Sequence, residues 1–69
     1  RTYSAVRASE DTTANFQLPG RVTFGYSWTL YDPDGKITKG SDNYDPKVGI
    51  RNVKIKAGAL MVIEPREVR

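Results

Sequence analysis

Residues 21–31 read RVTFGYSWTLY, and every second residue is large and apolar. Val22, Phe24, Tyr26, Trp28 and Leu30 share one parity, with Arg21, Thr23, Gly25, Ser27 and Thr29 between them. A β-strand sends successive side chains to opposite faces, so this spacing builds one continuous apolar ladder. A helix would scatter the same residues around its axis. The segment predicts a strand with one face in a core, and the remaining chain must supply what covers it.

The ladder runs into Tyr31-Asp32-Pro33-Asp34-Gly35-Lys36. Two aspartates one residue apart before a glycine resemble the start of a calcium loop. A helix–loop–helix calcium site needs glycine sixth and a bidentate glutamate twelfth. Counted from Asp32, glycine is fourth and Asn43 is twelfth. Proline presets φ for a turn, and glycine takes the left-handed position that lets two strands re-pair. The stretch therefore predicts a hairpin, and no cofactor or metal is expected.

The returning strand, Lys36-Ile37-Thr38-Lys39, is expected to dissolve into a polar loop through Gly40-Ser41-Asp42-Asn43, with another turn at Asp45-Pro46. Beyond it, Val48 and Ile50 share one parity while Val53, Ile55 and Ala57 share the other. The phase slips at Arg51-Asn52, as it does at a β-bulge or a short turn. Ala57-Gly58 predicts a tight turn. Leu60 to Ile63 is a nearly continuous apolar strand, a pattern that calls for cover on both faces. Glu64-Pro65 is expected to end it, leaving a charged tail.

Four to five short strands with turn residues at every corner predict an all-β fold, a small antiparallel barrel or sandwich of SH3-like or OB-like type. Residues 1–18 are expected to be an extended or disordered arm, because Ser, Thr and Ala dominate 1–15 and bury little apolar surface. Leu18-Pro19-Gly20 then opens a single β domain over 19–69. Val6-Arg7-Ala8 before Ser9 resembles the loose cleavage pattern of plastid transit peptides. An ordinary flexible terminus competes with that reading, since cleavage after Ala8 would remove residues 1–8. The compartment is otherwise expected to be cytoplasmic.

Composition narrows the chemistry. The 69 residues contain neither cysteine nor histidine. Disulfides and thiolate sites are excluded, and the serines have no imidazole to activate them. The glycines fit no phosphate-cradling spacing, so an enzyme is not expected. A domain this small seldom draws more than about 3–5 kcal/mol from its core, which favours a partner as the missing staple. No apolar run reaches the length of a membrane span.

Net charge is +3, with eleven basic residues against eight acidic ones. Lys54 and Lys56 alternate with Val53 and Ile55, so they are expected on an outward face with Arg51 nearby. Lys36 and Lys39 flank the hairpin. Tyr31 and Tyr44 lie off the ladder and are expected to be exposed. These seven residues form the expected partner surface. Two functions follow from them. The first is a non-catalytic accessory or scaffold subunit docking on a larger protein complex through its β domain and arm. The alternative is a small basic nucleic-acid-binding barrel.

Overall fold

A computed structural model describes residues 4–18 and 23–67, with the side chains of Thr23, Phe24 and Glu67 outside the description. The expected turn at Pro19-Gly20, and the ladder positions Val22 and Phe24 as side chains, lie outside the described residues. The fold is all-β and antiparallel. Six strands are present: β1 (Ser4–Arg7), β2 (Thr12–Phe16), β3 (Thr23–Tyr31), β4 (Ile37–Asn43), β5 (Ile50–Ile55) and β6 (Leu60–Glu67). They form a four-stranded sheet in the order β1-β6-β3-β4 and a two-stranded sheet of β2 and β5.

The segment expected as an arm is β1 and β2. Ser4–Arg7 pairs with Ile63–Leu60, and Thr12–Ala14 pairs with Ile55–Val53. Ala8, Phe16 and Leu18 are buried in the core. Small side chains are what this position takes. Ala59 is fully buried beside Ala8, where backbone amides bond directly across the gap: Ala8 N–H donates to the Ala59 carbonyl at 3.1 Å and Gly58 N–H to the Ala8 carbonyl at 2.7 Å.

These contacts make the two sheets one folded ribbon. Four residues on from Ala8 is Thr12, and four residues back from Ala59 is its partner Ile55. The register therefore passes unbroken through a corner at residues 8–11 and 56–59. Asp11 Oδ1 accepts the Ala57 amide at 3.0 Å inside that corner. Ala57-Gly58 does turn, but the turn carries the chain from one sheet to the other and does not pair β5 with β6.

The two inner faces share one core. Ile50, Ile55 and Phe16 from one sheet meet Met61 and Ile63 from the other, with Val6, Ala14, Tyr26, Trp28, Leu30 and Val53 packed around them. Ile55 and Ile63 are buried to 2% and 1% exposure, each contributing about 2–3 kcal/mol of apolar burial.

The β3–β4 hairpin forms at the expected place. Asp32 N–H donates to the Lys36 carbonyl, Gly35 N–H to the Asp32 carbonyl, and Lys36 N–H to Asp34 Oδ1, with Gly35 at φ 95°. β4 does not dissolve at Gly40 but runs to Asn43, because β3 keeps offering partners as far as Gly25. Gly40 faces Trp28, and a side chain there would stand 2.5 Å from the indole.

The phase slip at Arg51-Asn52 is a bulge. Ala14 faces Val53 and Phe16 faces Ile50, so β5 carries the extra residue. Asn52 takes φ 59°, and its amide donates to Asn15 Oδ1 at 2.9 Å. Val48 is not in a strand. Asp45 gathers the amides of Lys47, Val48 and Gly49 into a single turn and leaves Val48 53% exposed. β6 continues through Pro65 to Glu67 instead of stopping at Glu64. Within that extension Pro65 lies opposite Tyr26 of β3.

Candidate functional site

The four-stranded sheet has one face in the core and one face open. The register places the outward residues in rows. One row runs Arg7, Leu60, Tyr31, Ile37; the next runs Ala5, Val62, Thr29, Lys39; a third adds Glu64, Ser27 and Ser41. Tyr31, Leu60, Val62 and Glu64 line a shallow depression in this face. Tyr31 is 41% exposed and Ile37 56%.

This surface follows directly from the run Leu60-Met61-Val62-Ile63. Met61 and Ile63 point into the core, while Leu60 and Val62 point outward. Among the described residues the core covers this run on the Met61 and Ile63 face, and Leu60 and Val62 stay half-buried on the other. Arg7 stands at one end of the apolar row and Lys39 at the far side of the neighbouring one, both exposed.

The seven expected partner residues are dispersed. Tyr31 and Lys39 lie on this open face, and Lys36 sits exposed in the adjoining hairpin. Lys54 and Lys56 belong to the other sheet and the corner after it, where they line a cleft together with Asp11 and Asp32. Arg51 is exposed at the bulge. The structure does not bring these cations onto one basic face.

Tyr44 is the clear correction. It is 6% exposed and belongs to the core. Its hydroxyl accepts the Leu18 amide at 2.9 Å and donates to the Leu18 carbonyl at 3.4 Å. Its ring meets Tyr26 edge to face, with centroids 6.3 Å apart at 89°. A phenol can stay buried when both its donor and acceptor are used, and here the end of β2 uses both. Gln17 adds a bond from its side-chain amide to the Pro46 carbonyl at 3.0 Å, which ties the same loop down.

Sequence reasoning missed Ile37. Its apolar neighbours are on other strands, so only the cross-strand register shows it beside Tyr31. Burial raises the Tyr26 phenol above its ordinary pKa, and the Asp42 carboxylate facing it across β4 adds to the shift. Among the described residues no group of three or more acidic side chains is placed to hold a metal ion. Among them, too, no helix is long and apolar enough to cross a membrane, which leaves strands aside.

No protein-family model, no curated protein and no solved structure matches the chain.

Proposed function

We propose that this domain is a non-catalytic docking module that seats the open face of its four-stranded sheet on a larger protein assembly. The observation that carries this reading is the apolar strip Leu60-Tyr31-Ile37 with Val62 beside it, on a sheet whose other face already holds the core. Exposed apolar surface gathered in one place, rimmed by polar groups, is the usual mark of an interaction site. The rim here is basic at Arg7 and Lys39, which favours an acidic surround on the partner and speeds encounter more than it tightens binding. Docking runs through the sheet face, since β1 and β2 are committed to the fold.

The test uses the tagged chain recovered from its source cells at moderate salt, beside two variants. Ile37→Lys puts a charge in the strip. Lys54→Glu with Lys56→Glu reverses charge on the other sheet. A docking module retains a defined protein partner with wild type and with the lysine pair, and loses it with Ile37→Lys. A nucleic-acid binder gives the reverse pattern: oligonucleotide affinity that falls steeply with salt and is lost with the lysine pair.

A further inference from the structure

Four strands stand at the edge of a sheet, and three of them are blunted. β1 is four residues long, β2 has a register shift between Ala14 and Phe16, and β5 carries the bulge at Asn52. Shortness and bulges are how a sheet keeps its edges from pairing with other chains. β4 has neither. Its seven residues keep one unbroken register with β3 and include no proline.

The hairpin fixes which backbone groups β4 leaves over. Asp32 N–H donates to the Lys36 carbonyl, and bonded pairs alternate along an antiparallel ladder. Thr38, Gly40 and Asp42 therefore bond to β3, while the amides and carbonyls of Ile37, Lys39 and Ser41 point away from it. None of these is bonded by another described residue. Asn43 would come next, but its amide donates to Asp42 Oδ1 at 3.1 Å, which closes that end. The open stretch is far from where the undescribed residues 19–22 join β3. Ile37 pairs with Tyr31, eight positions from Thr23, or about 26 Å along the strand.

We infer that the docking partner adds a strand to β4: an extended segment, antiparallel to it, with a carboxylate beside Lys39 and an apolar side chain beside Ile37. In that direction the partner reads acid-x-apolar from its N-terminal side. Ile37 ends the row Arg7-Leu60-Tyr31-Ile37 at this edge and is its most exposed apolar member. An added strand continues the row and covers it. Lys39 stands exposed on the same face, where a cross-strand acid is favoured and a second lysine is not. Main-chain bonds supply affinity, and alternate side chains supply specificity. Strand addition at β4 rests on the docking role proposed for the open face and gives its partner a chemistry.

The probe is the capped hexapeptide Thr-Val-Glu-Thr-Ile-Thr, titrated into the isotope-labelled chain and followed by amide exchange. In the free chain the Ile37, Lys39 and Ser41 amides are expected to exchange fast and those of Thr38 and Gly40 slowly. With peptide, all three fast amides gain protection. N-methylation of the peptide's Glu or Ile, whose amides face β4, abolishes binding. N-methylation of its Val or central Thr, whose amides face away, leaves it. Lys39→Glu weakens binding about fivefold, and a peptide with Lys in place of Glu restores it. Saturation without protection of the three amides overturns the inference, as do equal effects of the two methylations or no saturation at all. A concentration-dependent dimer that protects the same amides without peptide also overturns it, assigning the edge to a second copy of the chain. Ser41→Pro removes one edge amide and leaves the strip intact. A cellular partner lost with Ile37→Lys but kept with Ser41→Pro overturns strand addition and leaves the docking module standing. A wild-type chain that captures no partner fails the docking module alone, since the peptide titration decides the edge.

Discussion

At the scale of single residues, Tyr44, Gly58 and Tyr26 each set local stability. Tyr44 closes the loop after β4 onto the end of β2, and its burial could not be read from a polar stretch whose partner, Leu18, lies 26 residues away. Tyr44→Phe keeps the ring but strands the Leu18 amide, and chemical denaturation should show a loss of about 1–3 kcal/mol. Tyr31→Phe, on the open face, should cost far less. Gly58 combines φ 84° with a Cβ position 3.2 Å from Pro33, so Gly58→Ala should cost about 1–3 kcal/mol by the same measurement. Tyr26 carries a pH signature. Its folded pKa is raised above 10.0, first by burial and then by Asp42. Above that ordinary value the unfolded chain sheds the proton more readily than the folded one. The stability it contributes is present in full below pH 10.0 and is lost as pH rises through the folded value. Ring carbon shifts followed by NMR should place Tyr26 above 10.0, and Asp42→Asn should lower it only part of the way, because burial is the larger cause.

At the scale of elements, the bent ribbon organises the fold. Half of it was legible. The period of two in β3 and the phase slip at Arg51-Asn52 both report which face a residue takes, and both elements stand where the pattern puts them. β1 and β2 were illegible for a physical reason. Ala8 suits its close approach to Ala59 at the corner, and the small residues around it carry no strong hydrophobic period. Only Phe16 and Leu18 hint at a core, and they do so too briefly to set a phase. β4 was cut short because Gly40-Ser41-Asp42-Asn43 has turn chemistry, whereas β3 extends the pairing and Trp28 needs the glycine. The bulge and the corner make separate predictions. Asn52→Val forces a β-branched residue to φ 59° and should cost about 1–3 kcal/mol. Asp11→Ala removes the acceptor of the Ala57 amide in an exposed corner, for about 0.5–1.5 kcal/mol. Thermal or urea unfolding of the two variants distinguishes a strained bulge from a merely decorated corner.

At the scale of the molecule, a chain of 69 residues without disulfides has little stability to spare. Ile63→Ala removes about 2–5 kcal/mol from a total near 3–5, so the isolated variant should show no cooperative transition. The strip around Ile37 contributes nothing to that core, so Ile37→Lys should unfold at nearly the wild-type midpoint. The candidate surfaces were only partly legible. The run Leu60–Ile63 announced a second apolar face, but which residues joined it depended on strand order. The lysines that looked like one basic face are parted by the two sheets, because β5 pairs with β2 and not with β4.

The central claim is that β1 and β2 belong to the folded core and are not a loose arm. Hydrogen exchange of the isolated chain tests it most directly. The Ala8 and Leu18 amides, bonded to Ala59 and Tyr44, should exchange as slowly as those in the middle of β6 and lose protection with it in denaturant. Exchange of both at free-coil rates, while β3 and β4 stay protected, would contradict the account and return residues 1–18 to the role of a loose arm.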